Sequence, residues 1–296
     1  MPPEVWKIRK FNSLLLELCN KVYNGASIEK WTEGCILPFP KKGDLGLTKN
    51  YRGITLTSIA AKIYNSLLLN RIQPKLEEIL RKNQNGFRKE RSTVGQILTV
   101  RRIIEGVKAK NLQAVLLFVD FSKAFDSIHR GKMREILLAY GIPLETVNAI
   151  MALYKNSKAI VRSPDGDTDF FTILAGVLQG DTLSPLLFII CLDYVLRTSI
   201  DPIKEKGLVL TKSTSPRYPA TNITDADYAD DLAFFANSIS EASDLLHSLE
   251  KSAQDIGLYV NADKTKHMSF NTSGTMKTIN GELIKAVDDF ISLEVK

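Results

Sequence analysis

Ile223-Thr224-Asp225-Ala226-Asp227-Tyr228-Ala229-Asp230-Asp231-Leu232-Ala233-Phe234-Phe235 sets a pair of adjacent aspartates between two short extended runs. The pattern predicts a β-hairpin with Asp230 and Asp231 at its turn. Two carboxylates at one spot repel each other and raise a pKa unless a cation holds them. A divalent metal resolves that conflict, and Mg²⁺ prefers a few carboxylates together with substrate phosphates. The chemistry this points to is phosphoryl transfer on a nucleotide. The competing reading is a solvated turn, since turns favour Asp for local backbone reasons.

A third carboxylate decides between the two. Ala114-Val115-Leu116-Leu117-Phe118-Val119 is a continuous apolar run ending in Asp120, which predicts a buried central strand with a carboxylate at its C-terminal end. If that strand neighbours the hairpin, Asp120, Asp230 and Asp231 converge. Two Mg²⁺ (or Mn²⁺) ions about 3.5–4 Å apart would then serve the attacking and leaving oxygens of a nucleotidyl transfer. The protein's part would be positioning and charge neutralisation.

Composition narrows the class. The chain has 296 residues, 24% charged and 44% hydrophobic, enough for one large domain or two modest ones with ample core. Its longest strongly apolar run, Leu186 to Leu192, is too short to span a bilayer, and the N-terminus lacks a secretory signal. Cys19, Cys35 and Cys191 are scattered and read as reduced thiols, which suits an intracellular compartment. With His129, His247 and His267 they form no zinc spacing. The net charge of +6 conceals an asymmetry. Residues 1–110 hold 21 Lys+Arg against 9 Asp+Glu, and residues 111–296 hold 18 against 24. A basic first third before an acidic remainder suits a polyanion-gripping region attached to a metal-binding one.

The remaining pattern predicts α+β, an antiparallel sheet backed by helices. Residues 4–23 read as an amphipathic helix with Leu14, Leu15 and Leu18 on one side. Residues 35–40 read as a short strand broken by proline, 41–46 as a basic turn and 51–56 as extended. A helix over 58–80 has Ile59, Ile63, Leu67 and Ile72 along one face, with Pro74 expected to kink or split it. Another covers about 128–140 and stops at Gly141. Ser184-Pro185 opens a buried helix to Arg197. Ser238-Ile239-Ser240-Glu241 fits a capping box for a helix ending at Gly257. Residues 207–222 read as a loop.

Six segments in a fixed order carry a resemblance. They are Asn50-Tyr51-Arg52-Gly53-Ile54-Thr55-Leu56, Asn85-Gly86-Phe87-Arg88-Lys89-Glu90-Arg91-Ser92-Thr93 and Phe118-Val119-Asp120-Phe121-Ser122-Lys123-Ala124-Phe125-Asp126. Gly176-Val177-Leu178-Gln179-Gly180-Asp181-Thr182-Leu183-Ser184-Pro185, Tyr228-Ala229-Asp230-Asp231 and Asn261-Ala262-Asp263-Lys264-Thr265-Lys266 follow. Together, over roughly residues 35–270, they resemble the reverse transcriptase domain of a non-LTR (LINE-type) retrotransposon.

The resemblance implies a right-hand polymerase with fingers and palm. Residues 1–110 would form a basic fingers region, with its motifs in 35–95, and residues 111–275 the palm. Residues 276–296 would be the start of a post-palm region, with the thumb absent or truncated and no room for a preceding endonuclease. It implies an RNA template, a DNA primer, dNTPs and two Mg²⁺ or Mn²⁺ ions, with no membrane partner. Asp120, Asp230 and Asp231 match the metal ligands, and Lys264 matches the lysine that faces the leaving pyrophosphate. Phe125 matches the sugar gate, whose ring leaves no room for a 2′-hydroxyl. Gln179 and Gly180 match the segment beside the incoming nucleotide. Arg52, Lys41, Lys42 and Lys62 are candidates for the triphosphate, and Arg88, Lys89 and Arg91 for template backbone. The alternatives are a catalytically idle nucleic-acid-binding fragment and a related group II intron-type reverse transcriptase.

Overall fold

The computed structural model describes residues 7–41, 43–211, 215, 217 and 220–288. In chain order the elements begin with α1 (Arg9–Tyr23), α2 (Glu29–Thr32), β1 (Glu33–Pro40), β2 (Tyr51–Leu56), α3 (Ile59–Ile79) and α4 (Thr93–Ala109). Then come β3 (Ala114–Val119), α5 (Ala124–Ser127), α6 (Arg130–Ala139), α7 (Leu144–Tyr154), β4 (Lys158–Ser163), β5 (Gly166–Asp167) and β6 (Phe171–Thr172). The last part holds α8 (Ser184–Ser199), β7 (Leu208–Thr211), β8 (Thr221–Ile223), β9 (Asp225–Tyr228) and β10 (Asp231–Ala236). It closes with α9 (Ile239–Gln254), β11 (Lys266–Phe270), β12 (Met276–Lys277) and β13 (Leu283–Ala286). The chain forms two contact-dense units, one of residues 1–78 and 125–188, the other of 79–124 and 189–296.

The first unit is built on a five-stranded sheet in the order β2-β1-β4-β5, with β6 also on β4. The prolines in β1 do not break it. Pro38 pairs with Gly53 and Pro40 with Tyr51 of β2, while β4 pairs only with Glu33 to Ile36. Past Ile36 one side of β1 has no ladder to donate to, so a residue without an N–H is tolerated there. α3 runs unbroken through Pro74, and its buried residues are Ala61, Tyr64, Asn65, Leu68, Ile72 and Leu76. Ile59 and Leu67, expected inside, are exposed. The buried face follows Tyr64, whose ring tilts against Trp31 with centroids 5.3 Å apart. Pro74 leaves the Asn70 carbonyl without its intrahelical donor, so Pro74→Ala is expected to raise stability by about 1–3 kcal/mol in thermal denaturation. α1 likewise buries Cys19 and Val22, while Leu14 and Leu18 face solvent.

The second unit holds a six-stranded sheet in the order β12-β13-β11-β3-β10-β9, antiparallel except for β11 with β13. All six residues of β3 are buried, as a strand flanked on both sides must be. Leu116 and Phe118 pack with Ile103 and Val107 of α4, and with Ala226, Ala233 and Phe235 of the hairpin. α9 packs on β3 and β10. Ser238 caps it by accepting from the Glu241 N–H, and Glu241 accepts in return from the Asn237 N–H. Residues 207–222 are not simply a loop. β7 and β8 pair antiparallel, and Leu208 is fully buried against the face served by α4. Isolated apolar pairs such as Val209 and Leu210 are too short for periodicity to reveal.

Several expectations fall outside the described residues. These are Lys42, the first residues of the 4–23 helix, part of the 207–222 segment, and the end of the 276–296 tail beyond Asp288. Among the described residues no helix is long and apolar enough to cross a membrane.

Candidate active site

Backbone register places the three aspartates. β10 pairs antiparallel with β3 through Leu232 opposite Val119, so the residues just beyond, Asp231 and Asp120, leave the sheet at the same end. β9 returns beside β10 with Tyr228 opposite Asp231, leaving Ala229 and Asp230 as the turn. Partial burial, then the charges of Asp230 and Asp120, push the Asp231 pKa up to about 6, with Lys264 opposing. The residue still keeps an exposed face, so its carboxylate is only partly desolvated and the neighbouring charges add to the shift.

Lys264 reaches the same spot from the other flank of β3. β11 pairs with β3, and the turn before it is tied down by Thr265 N–H and Lys264 N–H donating to the Asn261 carbonyl. The Asn261 N–H donates to the Asp120 carbonyl at 2.8 Å, and the Asp120 N–H to Thr265 Oγ1 at 3.3 Å. Lys264 Nζ then stands 3.3 and 3.4 Å from the two Asp120 carboxylate oxygens. Three carboxylates and one ammonium are thus gathered at one end of one sheet.

The donor set suits a hard divalent cation, being all carboxylate oxygen with no thiolate or imidazole. Among the described residues no three acidic, His or Cys side chains stand at metal-holding spacing, and Asp120 is paired with Lys264. The Lys264 ammonium offsets part of the negative charge, chiefly at Asp120.

Behind the hairpin lies a segment whose role sequence reasoning missed. Residues 83–85 add a parallel bridge to the edge of β9. The Asn85 N–H donates to the Asp227 carbonyl at 2.8 Å and the Asp227 N–H to the Asn83 carbonyl at 3.1 Å. Arg81 makes a two-pronged ion pair with Asp225 at 2.9 Å, and approaches Asp227 at 3.4 Å and Asp201 at 3.0 Å. Burial opposes the guanidinium charge, but the three carboxylates more than offset it and hold Arg81 protonated. Asp227 is fully buried, and burial together with the Asp225 charge lifts its pKa well above the carboxylate range. Among the described residues Asp227 Oδ1 has no conventional hydrogen-bond partner, while Asp225 Oδ2 faces Arg81 Nη1 at 2.9 Å. A raised pKa favours a protonated Asp227 carboxyl, which turns one of its oxygens into a donor.

Arg88 is buried and Arg91 half-buried, and both guanidinium groups engage loop carbonyls. Arg88 is 8% exposed, and its Nη1 donates to the carbonyls of Arg81 at 2.7 Å and Gln84 at 3.2 Å. Arg91 Nη1 donates to the Lys82 carbonyl and to Asn85 Oδ1. Lys89 is exposed.

The nucleotide-side candidates lie in the first unit. The Thr55 N–H donates to the Gln179 carbonyl at 2.7 Å, docking β2 on the Gln179-Gly180 segment. Gly180 has φ +110°, and a Cβ there would fall 2.7 Å from the Thr55 carbonyl oxygen, so only glycine allows the approach. Phe125 stacks on Phe188 with centroids 4.6 Å apart, and its carbonyl accepts from the Val177 N–H at 2.7 Å. Arg130 fixes this loop by donating to the carbonyls of Tyr154, Ile173 and Gly176. Arg52 and Lys41 are exposed, and Lys62 is half-buried in the first turn of α3.

A mixed sheet with carboxylates converging at one end, fronted by a carboxylate hairpin, defines a polymerase-type palm. The chain belongs to the reverse transcriptase (RNA-dependent DNA polymerase) family, whose profile matches residues 39–283. It is 26% identical over 89% of its length to the retrovirus-related Pol polyprotein from type-1 retrotransposable element R2 of Nasonia vitripennis. It is 27% identical over 76% of its length to that from type-2 retrotransposable element R2DM of Drosophila melanogaster. These relatives bear out the non-LTR resemblance. The chain spans 24% and 20% of their respective lengths. Apo telomerase from Candida tropicalis, truncated from its C-terminal domain, superposes with a TM-score of 0.59 at 15% identity, over 90% of this chain and 57% of that one. Telomerase from the same organism in complex with a telomeric RNA fragment gives 0.57 at 16% identity, over 97% and 50%. These likenesses establish a shared fold of fingers and palm type.

Proposed function

We propose that the chain is an RNA-directed DNA polymerase domain that extends a DNA primer 3′-OH with dNTPs while copying an RNA template. The gathering of Asp120, Asp230, Asp231 and Lys264 at one end of the second unit's sheet carries this reading. The three aspartates would hold two Mg²⁺ or Mn²⁺ ions, which when bound supply charge neutralisation at the attacking 3′-oxygen and the triphosphate. Lys264 would release Asp120 and present its ammonium to the leaving pyrophosphate as a charge partner and proton donor. The Gln179 amide would orient the incoming nucleotide, with Gly180 allowing its close approach. Arg52, Lys41 and Lys62 would receive the triphosphate. Lys89 is the residue of the 88–91 group whose side chain is available to template phosphate, while Arg88 and Arg91 would hold the loop that presents it. In this reading residues 1–110 act as fingers, 111–275 as palm, and 276–296 lead out of the palm.

Phe125, five residues after Asp120 in sequence, would be the sugar gate. Its stacking on Phe188 fixes the ring plane, and a ring so held would exclude a 2′-hydroxyl by shape. Phe125→Ala is expected to raise ribonucleotide incorporation relative to dNTP by about tenfold or more, measured as a ratio of kcat/KM. A ratio that does not move removes Phe125 from selection.

Primer extension on an RNA template with Mg²⁺ or Mn²⁺ tests the whole reading. Template-dependent dNTP addition supports it. Salt-sensitive RNA binding with no incorporation at any concentration of either ion points instead to an idle binding fragment.

A further inference from the structure

We propose that Gln84 is a positioning residue for the catalytic hairpin, setting the carboxylates of Asp230 and Asp231 by gripping the peptide unit just before them. The inference rests on the polymerase reading of those aspartates and deepens it.

Ala229 sits at the crown of the turn with φ +54°, a left-handed conformation that an alanine does not take up unaided. Its N–H points away from the β9–β10 ladder, where the hairpin offers it no acceptor. Gln84 supplies one. Gln84 Oε1 accepts from the Ala229 N–H at 2.8 Å, and Gln84 Nε2 donates to the Ala229 carbonyl at 3.2 Å. The same Oε1 accepts from the Gly86 N–H at 2.7 Å. The side-chain amide thus pairs with the Ala229 residue as a strand neighbour would, and binds its own loop to it. Gln84 is 1% exposed and Ala229 5%, so water cannot substitute on either side.

A second observation points the same way. A Cβ on Gly86 would fall 2.2 Å from the Ala229 nitrogen and 2.7 Å from its Cα. Gly86 has no positive φ, so glycine is needed here for room and not for backbone freedom. Loop and hairpin crown are in backbone contact, and the amide of Gln84 is the polar fastener between them. Since Asp230 and Asp231 follow Ala229 directly, rotation of its peptide would re-aim both carboxylates. A displacement near 1 Å at a reacting centre costs about 10²-fold in rate.

The test uses the whole chain. Gln84→Leu keeps the volume and removes the grip. It is expected to lower kcat for primer extension about 10- to 100-fold, with KM for dNTP changed less than about twofold. Ala229→Gly relieves the left-handed strain, so the double variant Gln84→Leu/Ala229→Gly is expected to recover much of the lost kcat. A purely structural role for Gln84 would move the melting temperature and not the kcat-to-KM split, and would not be relieved at residue 229. A kcat within twofold of wild type, a loss confined to KM, or no recovery in the double variant each overturns the proposal. Amide hydrogen exchange on the unsubstituted chain is independent of activity and of variant folding. The grip predicts an Ala229 N–H protected like a ladder amide, and exchange at the rate of an open turn overturns it. A wild-type chain that incorporates no nucleotide counts against the polymerase reading, while the exchange result still decides the grip.

Discussion

Arg81→Met is expected to lower the unfolding free energy by about 3–5 kcal/mol, the cost of stranding buried acidic groups without their cation. Arg81 is the cation that faces Asp225 and Asp227, which are 2% and 0% exposed. Methionine fills the volume but leaves the Asp225 charge beside Asp227 in a dry site. Urea denaturation of the two proteins side by side measures the difference, and a loss below about 1 kcal/mol would show that the network relaxes into water. Arg81→Lys should recover little, because an ammonium cannot reproduce the two-pronged contact with Asp225. The proton on Asp227 adds a pH signature. Its folded-state pKa is raised, so the unfolded chain loses that proton first as pH climbs past about 3.9. Stability therefore declines from that point until the folded-state value is passed, then levels off.

Asp120→Asn, Asp230→Asn and Asp231→Asn are each expected to reduce primer extension by at least about 10³-fold, with thermal stability changed by no more than the exposed Asp120–Lys264 pair is worth, about 1 kcal/mol or less. The two readouts should diverge most clearly at Asp231, whose carboxylate is crowded by its acidic neighbours. Asp231 is held up at about 6 by partial burial and by its acidic neighbours. Removing one negative charge relieves that crowding, so the melting temperature of Asp231→Asn should be unchanged or higher than wild type at pH 7. A variant that loses activity and melts early would indicate a structural carboxylate. One that keeps activity would remove that residue from the metal set.

The convergence of the three aspartates was legible in the sequence because each stands out locally. Asp120 ends an apolar run, and Asp230 and Asp231 sit at a turn, so both could be placed before their strands were known to pair. The supporting parts were hidden by sequence distance. Gln84 and Ala229 are 145 residues apart, as Arg81 and Asp225 are 144, and nothing in either segment alone marks them as partners. Charge alone does not assign roles in the same region. Arg88 and Arg91 contribute to the basic first third, yet their guanidinium groups are engaged with loop carbonyls, a use that composition cannot separate from phosphate contact. The buried face of α3 was misread because Ile59 and Leu67 are apolar but exposed, while Asn65 is polar and buried through its bond to Asp181 at 2.7 Å. Helical periodicity weighs all apolar residues alike and misses a buried polar pair.

The central place of β3 has a consequence for how the protein is made. Ala114–Val119 finds both its neighbours late, in Asp231–Ala236 and Lys266–Phe270. A ribosome adding roughly 5–20 residues per second needs on the order of 5–20 s to reach the first of them. For that interval the nascent chain carries its most apolar strand with both edges bare. Synthesis of this domain would thus favour a holding chaperone, and fragments ending before residue 231 should aggregate where the longer chain does not.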